Sequence, residues 1–326
     1  MVSVVFWIGN IAVLAAVLVV GYFVLATRRI AMEAERAVPP AGDFVQIGAH
    51  RIHFVEQGQG RPILFIHGLG GQLHHFRHTL FSRLDDQFRL VALDRPGSGY
   101  STRPAAFDGS LMEQAELVHR FIEERGLDRP LVVGHSLGGA VALALALEHP
   151  EGISGLVLLS PLTHLEGELR PEFKALYVRS PLLRHILART VWVPTSLKYA
   201  AQTLDFVFGP QKPTTDYGTG GGGLAGLRPS HIFATSADLV AIERDLASIE
   251  ARFEEISVPV GVIFGTADRV LDHRLNGEAL VGRIRSLELE LVEGMGHMPQ
   301  FVEPQRVEAL IRRVAERAFA AQSDKA

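Results

Sequence analysis

The chain has 326 residues, of which 47% are hydrophobic and 21% are charged, and its formal net charge is −4 at pH 7. This composition is typical of a globular protein, and the negative balance argues against nucleic acid as a partner. The chain contains no cysteine, which excludes disulfides, thiolate metal sites and a cysteine nucleophile.

The first predicted element is an uncharged apolar stretch from Val2 to Ala26, long enough to cross about 30 Å of hydrocarbon as a helix. A cleaved signal peptide is the competing interpretation, but the usual basic start and short apolar core are missing. Arg28 and Arg29 follow, and basic residues prefer the cytoplasmic side. We therefore expect a single-pass membrane anchor at residues 1–28, a linker at residues 29–43, and a main domain on the cytoplasmic side.

Three strands are predicted next. The segments from Phe44 to Gly48 and from Arg51 to Glu56 have the pattern of two strands joined by a turn. The apolar run from Pro62 to Ile66 predicts a buried strand of a parallel sheet. It leads into a glycine-rich loop, His67 to Gly71, that can turn back over the sheet.

Three histidines follow this loop and are candidates for a metal site. His74, His75 and His78 have no nearby carboxylate at ligand spacing, so no metal site is predicted. They are expected near a pocket entrance. A strand from Arg89 to Leu93 comes next, followed by a turn rich in proline and glycine. Ser110 and Glu113, three residues apart, then predict a capping box at the start of a helix.

The strand from Leu131 to His135 ends in Gly134-His135-Ser136-Leu137-Gly138, the pattern of a nucleophile elbow. The helix from Leu137 to Leu147 is apolar on all sides, so it is expected to be buried. Its first N–H groups face the Ser136 hydroxyl. We expect Ser136 to be the nucleophile, and the N–H groups of Leu137 and Leu69 to form an oxyanion hole.

The alternation of strands and helices stops between residues 162 and 255. Helical pieces broken by prolines, with a glycine run at residues 218–223, predict a cap inserted over the edge of the sheet where ligands bind. All charges between Lys174 and Lys198 are basic. Their spacing of about five residues spreads them around a helix axis, which favours a solvated surface over a membrane-facing one.

Two further strands carry the remaining candidate catalytic residues. The segment from Val258 to Phe264 is followed by Asp268, and the segment from Leu287 to Val292 by His297. A serine nucleophile needs a histidine base, and that base needs a carboxylate on its other nitrogen. The order serine, aspartate, histidine is the one associated with this elbow. Asp272 is the alternative acid, but Asp268 lies in the first turn beyond its strand.

Together these motifs resemble an α/β-hydrolase-fold protein of the capped esterase and C–C hydrolase type, from Phe44 to the C-terminus. The resemblance implies a mostly parallel, doubly wound sheet, with the core at residues 44–161 and 256–326. His67, Gly68 and His135, which border the loop and the elbow, are expected to contact the substrate. Relatives that resemble epoxide hydrolases or haloalkane dehalogenases carry aspartate at the elbow. Because this chain has Ser136 there, neither of these two chemistries is expected.

The expected function is a membrane-anchored serine hydrolase that cleaves carboxylic esters, including lipid esters, with apolar acyl chains. Neither a metal nor an organic cofactor is expected. C–C bond hydrolysis and acyl transfer on the same triad remain alternatives. A non-catalytic receptor or scaffold of the same fold is disfavoured, because binding alone does not need a complete triad.

Overall fold

The fold is built on one sheet in the part of the chain that the computed structural model describes, residues 2–323, with side chains described for residues 6–320. Met1 of the predicted anchor and residues 324–326 of the predicted core lie outside the described residues. The eight strands are β1 Asp43–Ile47, β2 His50–Gln57, β3 Arg61–Ile66, β4 Phe88–Leu93, β5 Leu131–His135, β6 Gly155–Leu159, β7 Val260–Gly265 and β8 Leu287–Val292. They lie in the order β1-β2-β4-β3-β5-β6-β7-β8. The pairs β1·β2 and β2·β4 are antiparallel and the others are parallel.

The helices connect these strands. The longer ones are α1 Val2–Ala37, α2 Leu111–Glu124, α3 Leu137–Glu148, α4 Pro181–Arg189, α5 Trp192–Lys198, α6 Ala200–Phe208, α7 Pro229–Glu250 and α8 Pro304–Ser323. Short helical segments lie at His74–Phe76, Arg77–Phe81, Ser82–Leu84, Pro150–Gly152, Pro171–Lys174, Gly223–Leu227, Phe253–Glu255, His273–Asn276, Glu278–Leu280 and Pro299–Val302.

Both faces of the sheet are covered at its central strands, which explains why β3, β5, β6 and β7 are almost entirely apolar. Successive side chains of β3 point to opposite faces. Leu64 joins a cluster with residues of α2 and α3, whereas Phe65 joins a second cluster with Val307 of α8. The doubly wound, mostly parallel sheet predicted from the sequence is therefore confirmed.

The start of α2 is capped as predicted, with one difference. Ser110 Oγ accepts a hydrogen bond from the Glu113 N–H (3.2 Å). The Glu113 carboxylate accepts from the N–H groups of Asp108 and Gly109. The N–H of Ser110 donates instead to the Asp108 carboxylate (2.8 Å). The reciprocal bond of a capping box is thus displaced toward the preceding loop.

Between β6 and β7 the described chain forms helices and loops without a strand, as the sequence predicts for residues 162–255. We call this insertion the cap. Its longest helix, α7, packs through Leu246 and Ile249 into the same apolar cluster as α2 and α3. The cap is therefore anchored on the core by an extended helix.

The linker predicted at residues 29–43 differs from the structure, because α1 continues without a break to Ala37. Thr27, Ala31 and Ala34 are buried against the rest of the protein. The Thr27 hydroxyl donates to the carbonyl of Thr190 (2.5 Å). Extending an existing helix is inexpensive, and burial of one face stabilises the extension. Among residues 29–43, only the last few are non-helical.

Candidate active site

Ser136 occupies a strained turn between β5 and α3. Its φ of 52° and ψ of −120° place a non-glycine residue in a sparsely populated region of backbone space. A Cβ on Gly134 would lie 2.5 Å from the carbonyl oxygen of Gly138, and one on Gly138 would overlap that of Ile66. The two glycines are therefore required by close backbone approach, and the turn presents Ser136 at the carboxyl end of β5.

Asp268 and His297 meet beyond the carboxyl ends of β7 and β8, which are neighbours in the sheet. The distance between His297 Nδ1 and Asp268 Oδ2 is 2.7 Å. Asp268 Oδ1 accepts from the N–H groups of Val270 (2.8 Å) and Leu271 (3.0 Å). The carboxylate is therefore held in one orientation, and Nε2 of His297 is the nitrogen that remains for a proton from substrate or nucleophile.

Asp272, the alternative acid, has a different position. Its Oδ1 accepts from the N–H groups of Arg274 (2.7 Å) and Leu275 (3.3 Å), so it caps the helical turn His273–Asn276. Those backbone bonds lower the pKa of the Asp272 carboxyl, although burial opposes them. Of the two carboxylates, Asp268 is the one in contact with His297.

The glycine-rich loop after β3 is held through the carbonyl of Gly68. This oxygen accepts from the N–H of Gly71 (3.1 Å), from Nη2 of Arg95 (3.0 Å) and from Nδ1 of His67 (2.8 Å). The peptide bond to Leu69 is trans, so the N–H of Leu69 points away from these three donors. The N–H of Leu137 lies at the first position of α3, where it has no acceptor within the helix.

The structure corrects the expectation that His67 contacts the substrate. Its Nε2 accepts from the backbone N–H of Arg95 (2.9 Å), so its proton is on Nδ1, and both nitrogens are used. Complete burial lowers the pKa of His67 well below its ordinary value, which keeps it neutral. His67 supports the loop from behind, whereas Gly68 and His135 border the cavity described below.

His135 is the residue before Ser136 in the elbow, and it contacts the loop that carries His297. Its Nε2 donates to the carbonyl oxygen of His297 (2.9 Å). Burial lowers the pKa of His135 well below its ordinary value, so the ring is neutral and the donor is fixed on Nε2. His135 thus ties the loop that carries His297 to the end of β5.

Sequence reasoning missed a buried charge network beneath this site. The Arg95 guanidinium donates to the carbonyl oxygens of His67 and Gly68 and lies 2.6 Å from Asp238 of α7. Arg103 contacts the other oxygen of Asp238 at 2.5 Å. The only sequence signal was an arginine inside the turn that follows β4, and nothing local pointed to its partner in the cap.

A cavity of about 600 Å³ lies above these residues, between the core and the cap. Gly68, Leu69, Ser136, Leu137 and His297 line its floor. Its apolar wall comprises Leu162, Leu165, Leu169, Phe173, Leu176, Leu204, Val207, Leu239, Ile242, Val270, Leu271 and Met298. The charged groups at its margin are Glu166, Glu168, Arg170 and Glu243. The volume and the apolar lining are typical of a small-molecule site.

The three histidines that follow the glycine-rich loop, His74, His75 and His78, have different surroundings. His75 lines the cavity, and burial lowers its pKa to about 3. His74 is also partly buried, with its pKa lowered to about 4 by burial, whereas His78 pairs with Asp216 at 3.2 Å. Within the described residues, no group of three or more histidines, aspartates or glutamates is arranged to hold a metal ion.

These features agree with the comparison with known families. The model of the alpha/beta hydrolase fold family matches residues 61–304, which is most of the chain. The chain belongs to the α/β-hydrolase fold family. Among solved structures of this fold, a membrane phospholipase A described as a bacterial virulence factor superposes with a TM-score of 0.66 at 25% identity, covering 95% of this chain and 98% of that one.

Among curated proteins, this α/β hydrolase is 27% identical over 275 residues to monoacylglycerol lipase abhd6-A of Xenopus laevis, covering 78% of this chain and 76% of that protein. It is 37% identical over 129 residues to the dihydrolipoyllysine-residue acetyltransferase component of the acetoin cleaving system of Cupriavidus necator, covering 39% of this chain and 34% of that protein. The chain spans about a third of the length of the first curated relatives it matches.

Proposed function

We propose that this α/β hydrolase is a serine hydrolase that cleaves carboxylic esters. The observation that carries the proposal is the 2.7 Å contact between His297 and Asp268 beside Ser136 on the floor of one cavity. Ser136 attacks the ester carbonyl while Nε2 of His297 accepts its proton, and Asp268 stabilises the imidazolium. His297 then protonates the leaving alcohol, and water hydrolyses the acyl-enzyme by the same route.

The N–H groups of Leu69 and Leu137 are proposed to bind the oxyanion that forms in each step. Both residues line the cavity floor next to Ser136. The Leu137 N–H is at the positive end of α3, and the Gly68–Leu69 peptide is held from the opposite side by Arg95. Donors fixed before the reaction stabilise the developing charge without reorganisation.

The proposed substrates are neutral esters with an apolar acyl chain. Aliphatic and aromatic side chains form most of the cavity wall, so each buried methylene group of the acyl chain gains about 0.8 kcal/mol. Three carboxylates and one arginine stand at the margin, which disfavours a negatively charged substrate. The monoacylglycerol lipase name of one relative agrees with this chemistry.

The test measures turnover of p-nitrophenyl esters of increasing acyl length by the full-length chain in detergent. We expect hydrolysis that improves with chain length until the cavity is filled. Ser136→Ala should reduce turnover by several orders of magnitude and abolish labelling by a fluorophosphonate. Ser154→Ala, a buried serine outside the cavity lining, is the matched control. Wild-type labelling of the Ser136→Ala variant would remove the basis of the proposal.

We further propose that α1 is a retained membrane anchor with the hydrolase domain on the cytoplasmic side. Residues 6–37 form a helix long and apolar enough to cross a membrane, and the apolar window of this helix is not buried in the protein. The packing of Thr27, Ala31 and Ala34 supports retention over cleavage, since removal of α1 would expose their binding surface. Full-length protein should stay with membranes during carbonate washing, and protease added to intact spheroplasts should not digest the domain.

A further inference from the structure

One side of α4 carries an apolar patch that the rest of the protein leaves uncovered. Leu182, Leu183 and Ile186 are 71%, 46% and 51% exposed, whereas Arg184 on the opposite side of the helix is buried. We call Leu182, Leu183, Ile186 and the adjacent Arg189 the α4 outer face. Large aliphatic side chains grouped on one helix face mark a surface that binds something apolar.

The α4 outer face lies beside the apolar part of α1 and not beside its charged end. Val20 of α1 borders a crevice together with Ile186, Arg189 and Thr190. This placement is unexpected for a soluble surface, because the residues of α1 around Val20 belong to its uncharged stretch. A solvent that surrounds Val20 must therefore also surround Ile186.

Two contacts nearer the C-terminal end of α1 hold this helix against the cap. Thr27 Oγ1 donates to the carbonyl of Thr190 at 2.5 Å. Glu35 pairs with Arg228 of the cap at 2.8 Å. The helix α1 is continuous between Val20 and Thr27. Because a helix is rigid over two turns, the contact that fixes Thr27 also fixes the position of Val20.

The depth of this contact in a bilayer follows from helix geometry. Val20 precedes Ala26, the last residue of the uncharged stretch, by six residues, which is about 9 Å along the helix. If the hydrocarbon ends near Arg28, the α4 outer face lies inside it. If the span starts instead at Val2, about 20 residues reach Gly21, and Val20 still lies at the hydrocarbon boundary. The α4 outer face meets the bilayer in both registers.

The charge of the surrounding surface favours anionic lipid. No aspartate or glutamate occurs from Phe173 to Leu204. The sequence predicts that the basic residues of this region circle one helix axis as a solvated surface. The structure differs, because Arg184 turns inward and bonds to the carbonyl of Val178. Arg179 is exposed but pairs with Glu243 of α7 at 3.5 Å, so Arg189 is the exposed basic group next to the apolar patch.

We propose that the α4 outer face is a lipid-binding surface that inserts into the bilayer holding α1, with Arg189 at anionic headgroups. The proposal rests on the proposed membrane anchor. Insertion at two points holds the cap against the membrane and restricts rotation of the domain about α1. The cavity then stays close to the lipid surface, where esters with apolar acyl chains are concentrated.

The absence of cysteine from the chain allows a direct test with single cysteines. Full-length Leu182→Cys protein is labelled with the fluorophore NBD and placed in nanodiscs of phosphatidylcholine and phosphatidylglycerol that contain nitroxide lipids. Val281→Cys is the matched control, since Val281 is also exposed (60%) but lies on the core. Leu14→Cys reports the anchor itself, because it lies about 9 Å further into the apolar stretch than Val20.

We expect a shallow nitroxide to quench the label at position 182 strongly and the label at position 281 hardly at all, while a deep nitroxide quenches position 14 best. Quenching at 182 should weaken when phosphatidylglycerol is left out. Quenching at 14 with none at 182 would overturn the lipid-binding surface and leave the anchor intact. Absence of quenching at 14 and 182 would overturn both, and the ester hydrolysis of the same sample tests the catalytic proposal separately.

Discussion

The substitution Asp268→Asn tests the acid most sharply, because the structure determines how the new amide would lie. The Oδ1 position receives two backbone N–H donors, from Val270 and Leu271. An amide NH2 placed there would face two donors, so the carbonyl oxygen of the introduced amide keeps that position. Its NH2 then points at Nδ1 of His297 across 2.7 Å. Nδ1 must accept this bond, and the imidazole proton moves to Nε2.

A proton on Nε2 prevents His297 from accepting the proton of Ser136. The cost expected for such a wrong tautomer is about 10⁴ in kcat, or about 5.5 kcal/mol of barrier. KM should change little, since Asp268 does not line the cavity. The control is Asp272→Asn, in which asparagine is as good a helix cap as aspartate, so kcat should stay near wild type.

The assay is steady-state hydrolysis of a p-nitrophenyl ester by both variants, with far-UV circular dichroism as the check of folding. If Asp272→Asn lowers kcat more than Asp268→Asn does, the two carboxylates must exchange roles. If Asp268→Asn lowers kcat only a few-fold, the tautomer argument is refuted, and with it the part assigned to this carboxylate.

Three further predictions concern the surroundings of the site. Asp238→Asn leaves two buried guanidinium groups without their counter-charge and should destabilise the protein by about 3–5 kcal/mol in urea unfolding, whereas Glu254→Gln at an exposed pair should cost less than about 1 kcal/mol. The pKa of His75 is about 3 in the folded protein, below its unfolded value, so its contribution to the free energy of unfolding is complete above pH 6.5 and is lost as the pH falls toward 3. At pH 5 this loss of stability reaches about 2 kcal/mol. His75→Asn should therefore flatten the pH dependence of the free energy of unfolding. Gly68→Ala places a Cβ 2.9 Å from that of the elbow serine and should lower kcat/KM by about 100-fold. The control is Gly226→Ala, which lies outside the cavity lining and whose Cβ would make only van der Waals contact with His231 at 3.9 Å, so it should have no effect.

Most strands and the elbow could be predicted because their signals are local. Apolar runs bounded by glycine and proline specify β3, β5 and β7 without reference to the rest of the chain. The strained conformation of Ser136 follows from the two glycines that flank it, Gly134 and Gly138, so the amino-acid pattern is sufficient to recognise the turn. The predicted family is confirmed for the same reason, since its motifs all lie at strand ends.

Contacts between distant segments could not be predicted in this way. Arg95 and Asp238 are 143 positions apart, and only the packing of α7 on the core brings them together. His67 carried the same sequence signal as a substrate-binding residue, yet burial and two hydrogen bonds make it a support of the loop. The sequence favours Asp268 over Asp272 by its place in the first turn beyond β7, but its contact with His297 at 2.7 Å is a property of the tertiary structure.

The N-terminal segment shows the same division. An uncharged stretch of this length is sufficient to predict a helix that can cross a membrane, because length and apolar character are properties of the segment alone. The extension of α1 to Ala37 and the position of Val20 beside α4 depend on burial of Thr27 and Ala34 against the cap. Local sequence determines which residues can form a helix, whereas only tertiary packing determines where that helix ends and which parts of the protein it contacts.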